Sequence, residues 1–178
     1  MPLDVDAVAL RQRRWWRHTV HGADPLAGRI PPPDGRWQHG MTVEALYLAS
    51  DEATVWAEWY RQLAEAGIPP TQQMPRDLWT WAVEPGLEVA DLTTAERLKR
   101  VGLTVPHPGR QTWPPYQEVG EQLWRERWLG LLAPSAARPK DGLVLCLFRD
   151  AKSLRRMRPL PPPRVVRHPP APPTGMTT

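Results

Sequence analysis

The chain has 178 residues, enough for one domain with a substantial hydrophobic core. Its 23 Lys and Arg residues exceed its 19 Asp and Glu residues, which gives a formal net charge of +4, and the basic excess lies towards the two ends. A single cysteine excludes an intrachain disulfide and a zinc site built from several cysteines, and no apolar stretch reaches the roughly 18 residues of a membrane span.

The first forty residues contain one predicted strand between two irregular segments. Residues 1–14 are predicted as a basic arm or a short helix, and residues 15–20 as the first strand. Residues 21–40 carry several prolines and glycines and are predicted as a long ordered loop. Long loops inside compact domains are often functional.

A second strand over 45–49 is predicted to lead directly into a helix over 51–66. Ser50 or Asp51 supplies the N-cap, Gly67 supplies the stop, and the prolines that follow prevent continuation. The apolar stripe of this helix, at helical spacing, is Trp56, Tyr60 and Leu63.

The later elements are shorter. In chain order they are a strand pair over 78–83 and 87–92 around the turn at 84–86, a helix over 94–101, an amphipathic helix over 116–129 with Val119, Leu123 and Trp124 on one side, and strands over 131–132 and 143–148. Cys146 lies inside the last apolar run. We therefore predict a packed and inert thiol, because apolar burial raises the pKa of a thiol.

These elements predict an α+β fold with a compact, mixed and largely antiparallel sheet and flanking helices. Residues 15–150 form the predicted domain. Residues 151–178 are basic and proline-rich, and from Pro159 onward they hold 8 of the 23 prolines. Proline cannot donate a hydrogen bond to a strand ladder, so this tail is predicted to be disordered or polyproline-like.

Helical periodicity alone gives Glu58 no special role. It shares a helix face with Thr54, Arg61 and Glu65, opposite the apolar stripe, and a solvated glutamate paired with Arg61 would explain it. Arg17 and Arg36 would likewise be ordinary surface arginines. Tyr47 would be a packed strand residue.

The order of several short motifs resembles the RES domain, a family named for an arginine, a glutamate and a serine. The matching segments run from Trp15 to Phe148, and they are Trp16-Arg17-His18, Asp34-Gly35-Arg36-Trp37-Gln38, Leu46-Tyr47-Leu48-Ala49, Ala57-Glu58, Val89-Ala90-Asp91-Leu92-Thr93, Tyr116-Gln117-Glu118-Val119-Gly120 and Leu132-Ala133-Pro134-Ser135-Ala136. The family usually has Gly at position 34 and Asn at position 38, and often Tyr at position 16.

The resemblance implies an NAD site and an ADP-ribosyltransferase-like fold. Its implied catalytic residues are Glu58 and Arg36, and its implied NAD-binding residues are Arg17, Arg36, Tyr47, Trp16 and Ser135. No metal is predicted. The implied activity is cleavage of the nicotinamide–ribose bond by a toxin of a toxin–antitoxin pair, and the acceptor is water, inorganic phosphate or, in an ADP-ribosyltransferase, a protein side chain.

These residue types suit that chemistry. A guanidinium binds phosphate oxygens through two parallel charge-assisted hydrogen bonds. Nicotinamide departs as a neutral molecule, so its departure needs no acid, and a carboxylate near the ribose stabilises the oxocarbenium-like transition state, as in glycosidases. Ser135 offers a hydroxyl for a ribose or phosphate contact, without a His–acid pair that would make it a nucleophile.

A second interpretation is a non-enzymatic module that binds nucleic acid through the basic, Trp-rich segment 11–17. On the toxin interpretation, the resemblance implies a cognate Xre-like antitoxin that blocks the NAD pocket. Nucleic acid is then contacted only through that complex, and the sequence leaves homo-oligomerisation open. The acidic start, Met1-Pro2-Leu3-Asp4, has no signal-peptide core, so a cytoplasmic protein without membrane contact is expected.

Overall fold

The computed structural model describes residues 1–177, which form one eight-stranded sheet flanked by helices. The strands are β1 (Asp6–Ala9), β2 (Arg14–Val20), β3 (Ala45–Ala49), β4 (Arg76–Val83), β5 (Glu88–Asp91), β6 (Gly130–Pro134), β7 (Leu143–Phe148) and β8 (Met157–Val166). The helices are α1 (Glu52–Ala66), α2 (Ala95–Arg100), α3 (Pro114–Arg125) and α4 (Ala151–Leu154). The strand order is β1-β5-β6-β7-β3-β2-β4-β8, and only β5 and β6 run parallel. The predicted α+β class and the largely antiparallel sheet are confirmed.

The sheet is strongly curled. β4 and β5 lie five strand positions apart, which is about 24 Å across a flat sheet. The connection from Val83 to Glu88 spans at most about 18 Å. Because the chain is too short for a flat sheet, the sheet bends back on itself and encloses one core. Trp15, Leu46, Trp81 and Leu145 are among the buried residues of that inner core.

Two further apolar clusters cover the outer face of the sheet. One, containing Trp37, Tyr116, Leu123 and Phe148, lies beneath α2, α3 and the loop before β3. The other lies beneath α1 and includes Trp56, Trp59 and Leu63. The outer face therefore carries two separate packed regions. The residues predicted to form the site lie mainly between them.

Helix α1 begins and ends where its caps predict. The Asp51 side chain accepts a hydrogen bond from the Thr54 backbone N–H, and Gly67 adopts the left-handed conformation at φ 65°. The predicted helix over 51–66 is thus confirmed. Helix α3 begins at Pro114 and ends at Arg125, four residues before the predicted end, and the left-handed Arg127 follows it. Trp124, predicted on its apolar side, is 36% exposed.

The predicted pairing of the strands around residues 84–86 is wrong. Both strands exist, but β4 pairs with β2 and β8, whereas β5 pairs with β1 and β6. A tight turn between two strand-like segments favours a hairpin. Here the turn instead connects β4 and β5, which lie near opposite ends of the strand order in the curled sheet. Leu10 forms backbone hydrogen bonds with Gly86 and Leu87 of this turn.

Both ends of the chain differ from their predicted structures. Residues 1–14 contain no helix, since Asp6–Ala9 form β1, an edge strand paired with β5. The disordered or polyproline-like tail predicted from Pro159 is wrong for Met157–Val166, which form β8 along β4. The prolines are tolerated because β8 is the other edge of the sheet, where an N–H need not point at a neighbouring strand. The predicted tail also includes residue 178, which lies outside the described residues.

Within residues 1–177, no helix has the length and apolar character required to cross a membrane.

Candidate active site

The sheet splits between its central strands β2 and β3. β2 pairs with β4 over seven residues and β3 pairs with β7 over five, but β2 and β3 are joined only at Trp16 and Ala49. Beyond that point the two strands separate. Helix α1 follows β3 directly and packs against both β2 and β3.

Glu58 is fixed in place by hydrogen bonds from three segments of the chain. Its Oε1 accepts from the Ser135 hydroxyl at 2.7 Å and from the Ala137 N–H at 3.3 Å. Its Oε2 accepts from Nε and Nη2 of Arg61 at 3.1 and 2.9 Å. The Glu58 side chain is 20% exposed. Such a carboxylate is a pre-oriented negative charge rather than a mobile surface group.

The helix face that carries Glu58 is partly buried, contrary to the periodicity argument. Thr54 and Arg61 are 0% and 5% exposed, although both share the side that a helical wheel assigns to solvent. The predicted Glu58–Arg61 pair is present, and Arg61 also pairs with Glu65. Polar partners from the segment after β6, above all Ser135, satisfy this face, so its polar composition does not signal exposure.

Ser135 is fully buried and lies directly after β6. Its hydroxyl donates to Glu58, while its oxygen accepts the backbone N–H groups of Ala137 and Arg138 at 3.2 and 3.0 Å. No histidine contacts it among the described residues. In this structure Ser135 therefore orients the carboxylate.

Arg36 lies close enough to Glu58 and Arg61 for their charges to shift its pKa. Burial lowers the pKa of Arg36, Arg61 lowers it further, and Glu58 acts in the opposite direction. Its Nη2 donates to the His107 carbonyl at 2.6 Å and its Nη1 to the Thr112 hydroxyl at 3.0 Å. The guanidinium also lies 5.2 Å from the centre of the Tyr116 ring. Arg36 thus attaches the loop before α3 to the site.

Tyr47 organises the turn that carries Arg36. Its hydroxyl donates to Gln38 Oε1 and accepts from the Trp37 N–H at 3.1 Å. Burial raises the pKa of Tyr47 well above its ordinary value, so the hydroxyl stays protonated. A Cβ on Gly35 would lie 2.3 Å from this hydroxyl, which explains the glycine beside Arg36. The amide of Gln117 donates to the Gly35 carbonyl at 2.9 Å and closes the turn.

Arg17 and Trp16 lie on opposite faces of β2. Trp16 packs against the apolar cluster beneath α1. Arg17 shares the other face with Trp15, and burial, followed by Arg149 and Arg29, lowers its pKa to about 10. The Glu44 carboxylate acts on the Arg17 pKa in the opposite direction, and it pairs with Arg149 at 3.2 Å. The structure therefore brings Glu58, Ser135 and Arg36 together, with Tyr47 behind Arg36, but keeps Arg17 in a separate basic group.

His18 and Arg76 extend that basic group, and neither was singled out from the sequence as functional. The His18 ring stacks on Trp56 with 5.7 Å between ring centres. Burial, followed by the charges of Arg76, Arg17 and Arg29, lowers the pKa of His18 to about 3. Within the described part of the chain, His18 Nδ1 and Arg76 Nε are buried without a hydrogen-bond partner. Neither spacing nor residue type signals this grouping, since it depends on how the loop with Arg29 folds over β2.

Arg36 is covered as the structure stands, since it is 8% exposed and the loop with His107 and Thr112 holds its guanidinium. Two open hollows of the surface lie elsewhere, one lined by residues such as Glu88, Trp128 and Arg156 and another by residues such as Arg13 and Met157. Among residues 1–177 no group of His, Cys, Asp or Glu side chains is arranged to hold a metal ion.

Comparison with known proteins assigns the family. The family model described as "RES domain" matches residues 14–169. The chain belongs to the RES-domain family. This match includes β8, which lies beyond the predicted domain end at residue 150. A comparison with curated proteins finds no match.

A solved structure supports the fold of this RES-domain chain. The crystal structure titled as the M. tuberculosis MbcT–MbcA toxin–antitoxin complex contains a similar chain, with a TM-score of 0.61 and 24% sequence identity. The similarity covers 83% of this chain and 84% of that one. At this identity the comparison establishes the shared RES-type fold.

Proposed function

We propose that this chain is the toxin of a toxin–antitoxin pair and cleaves the nicotinamide–ribose bond of NAD. The observation that carries the proposal is the Glu58 carboxylate, fixed by Ser135, Ala137 and Arg61 within the charge field of Arg36. Membership of the RES-domain family supports it. So does the toxin–antitoxin complex named for the similar structure.

Glu58 acts as an electrostatic stabiliser. Positive charge develops on the ribose as neutral nicotinamide departs, so a carboxylate already in position lowers the barrier without reorganising. Two of the groups that donate to Glu58, the Ser135 hydroxyl and the Ala137 N–H, are also hydrogen-bonded to each other. The carboxylate thus keeps its position whether or not substrate is present. Burial of its partners excludes water that would screen the charge.

Arg36 is the predicted residue placed to contact the diphosphate or the nicotinamide-side ribose of the dinucleotide. Tyr47 supports that contact through the turn that carries Arg36, and Ser135 supports Glu58. Arg17 lies in the separate basic group and Trp16 packs beneath α1, so neither is assigned to the nicotinamide ring. NAD enters after the loop with His107 and Thr112 moves off Arg36, since that loop occupies both terminal nitrogens of its guanidinium.

The decisive experiment compares Glu58→Gln with Glu65→Gln. Both carboxylates are bound by Arg61 on the same helix, but only Glu58 also accepts the Ser135 hydroxyl. We expect Glu58→Gln to lower kcat for NAD by roughly 100-fold or more, the loss typical of one well-placed electrostatic group, while Glu65→Gln keeps most of the activity. Normal NAD turnover by folded Glu58→Gln protein would overturn the proposal.

Product analysis identifies the acceptor. Water gives ADP-ribose, inorganic phosphate gives ADP-ribose 1″-phosphate, and a protein ADP-ribosyltransferase leaves ADP-ribose attached to protein. Mass spectrometry of reactions with and without phosphate, and with added bacterial protein, separates the three. We propose cleavage by water or phosphate as the principal activity, with ADP-ribosyl transfer as the alternative.

The remaining proposals concern the partner and the setting. We propose that an Xre-like antitoxin covers the NAD pocket, that the pair acts in the cytoplasm, and that nucleic acid is contacted only through the complex. The rival nucleic-acid module depends on indoles free to stack on bases. Trp15 is 1% exposed and Trp16 packs beneath α1, so that interpretation loses its aromatic surface. Size-exclusion chromatography with light scattering addresses homo-oligomerisation.

A further inference from the structure

The segment 170–177, which we call the clamp segment, lies against helix α1 and the turn after β6. The Tyr60 hydroxyl donates to the Pro170 carbonyl. Arg138 Nε donates to the Thr174 carbonyl at 3.1 Å, and Thr177 binds the backbone of residues 136 and 137. The family match ends at residue 169, so the clamp segment lies outside the region that the RES model describes.

Thr177 binds the two peptide groups that support Glu58 and Ser135. In the first peptide group, the Ala136 carbonyl accepts the Thr177 hydroxyl at 3.0 Å, and the Ala137 N–H donates to Glu58 Oε1 at 3.3 Å. In the second, the Ala137 carbonyl accepts the Thr177 N–H at 2.8 Å, and the Arg138 N–H donates to Ser135 Oγ at 3.0 Å.

The carbonyl and the N–H of a trans peptide group point in opposite directions. Each of these two groups is therefore held between Thr177 on one side and the Glu58–Ser135 pair on the other. A hydrogen bond to the carbonyl also polarises the group and strengthens the bond that its N–H donates. Thr177 contacts the turn on the side away from Glu58, so it supports the carboxylate and does not obstruct it.

Arg138 links the same turn to the start of α1. Its Nη1 donates to Asp51 Oδ1 at 2.9 Å and to Thr54 Oγ1 at 3.0 Å, at the start of α1. The guanidinium thereby links the N-terminal cap of the helix that carries Glu58 to the clamp segment. These contacts fix the spacing between α1 and the turn. Thr177 then sets the orientation of the peptide groups within the turn.

We propose that Thr177 is a positioning residue that acts on NAD cleavage through Ala137, Ser135 and Glu58. This inference rests on the proposed function for its effect on catalysis, and on geometry alone for its effect on the turn. Because Thr177 does not touch the substrate, it affects kcat through the orientation of the carboxylate. The affinity for NAD is set elsewhere in the site.

A series of variants at Thr177 tests this role. Thr177→Ser keeps both donors, Thr177→Val removes the hydroxyl, and Thr177→Pro removes both the hydroxyl and the N–H. Thr174→Val is the matched control, because the clamp uses only the carbonyl of Thr174. We expect kcat for NAD to be normal in Thr177→Ser and Thr174→Val. It should fall roughly fivefold in Thr177→Val, which loses one hydrogen bond, and roughly tenfold or more in Thr177→Pro, which loses two. KM should stay within about twofold.

Amide exchange gives a readout that does not depend on NAD turnover. The amide hydrogens of Ala137 and Arg138 should exchange faster in Thr177→Val and Thr177→Pro than in Thr177→Ser, while the amides of the sheet core keep their protection. If the wild-type protein fails to cleave NAD, the proposed function fails. The exchange rates of the Ala137 and Arg138 amide hydrogens then decide by themselves whether Thr177 orders the turn. Unchanged amide exchange in Thr177→Pro overturns the proposal, as does a normal kcat. Should Thr177→Pro not fold, the comparison of Thr177→Val with Thr177→Ser decides in the same way.

Discussion

Ser135 Oγ donates a 2.7 Å hydrogen bond to Glu58 Oε1 across 77 positions of sequence. This contact joins the turn after β6 to helix α1. It also makes the serine hydroxyl the link between the carboxylate and the backbone of the turn, because Oγ accepts two N–H groups as well. The position of Glu58 is thus determined by tertiary structure rather than by α1 alone.

Replacing Ser135 tests whether that link matters for catalysis. Ser135→Ala leaves Glu58 without one donor and two backbone N–H groups without their acceptor. We expect kcat for NAD to fall roughly tenfold and stability to fall by about 1–3 kcal/mol. Ser153→Ala is the control, because Ser153 is equally buried and bonds the Phe148 carbonyl far along the chain from Glu58. Equal losses of kcat in the two variants, measured beside urea unfolding, would argue against a specific role for Ser135.

Arg61 is predicted to act only through Glu58. Arg61→Met removes both hydrogen bonds to Oε2 while filling a similar volume, so the carboxylate gains freedom and kcat should fall roughly tenfold or more. In the double variant Glu58→Gln/Arg61→Met, the second change should cost little further activity, since residues that act as a unit are not additive. Steady-state kinetics on the four proteins completes the cycle. Independent, additive losses would show that Arg61 contributes to catalysis by another route.

Anions should stabilise the protein through Arg17. Arg17, Arg29 and Arg149 lie near one another, and Glu44, the carboxylate of this group, is already paired with Arg149. Inorganic diphosphate should therefore raise the unfolding temperature by several degrees, and Arg17→Met should remove most of that shift. Arg11→Met controls for general charge, because Arg11 is exposed on the segment before β2. A diphosphate effect that persists in Arg17→Met would place the anion elsewhere.

The pH dependence of stability should carry a contribution from His18. Its pKa is about 3 in the folded protein, against an ordinary value of 6.5, so the unfolded chain binds a proton between these values and the folded chain does not. The unfolded state is thus favoured as the pH falls from about 6.5 towards 3, and stability is lost over that window. His18→Phe should flatten the loss of stability between pH 7 and pH 4.5 in urea titrations. The exposed His168→Gln should leave it unchanged.

Local signals in the sequence were sufficient for α1 and for the central strands. Asp51 and Gly67 define the helix through capping, which depends only on neighbouring residues. The edge strands were missed because their pairing is non-local: β1 pairs with a strand about 80 residues away, and the prolines of β8 are compatible with a strand only at an edge. The family resemblance, not the helical pattern, makes Glu58 a candidate catalytic residue. Helical periodicity assigned Thr54 and Glu58 to solvent because it cannot anticipate polar partners from elsewhere in the chain, which here are Arg138 for Thr54 and Ser135 for Glu58.

The edges of the sheet limit how this protein can associate. β8, at one edge, contains four prolines in ten residues, and proline has no N–H to donate to an incoming strand. β1, at the other edge, has only four residues and offers a short ladder. Neither edge is a good template for adding a strand from another molecule, which protects the folded protein against edge-to-edge aggregation. We therefore expect a protein partner to recognise side chains on the faces and loops.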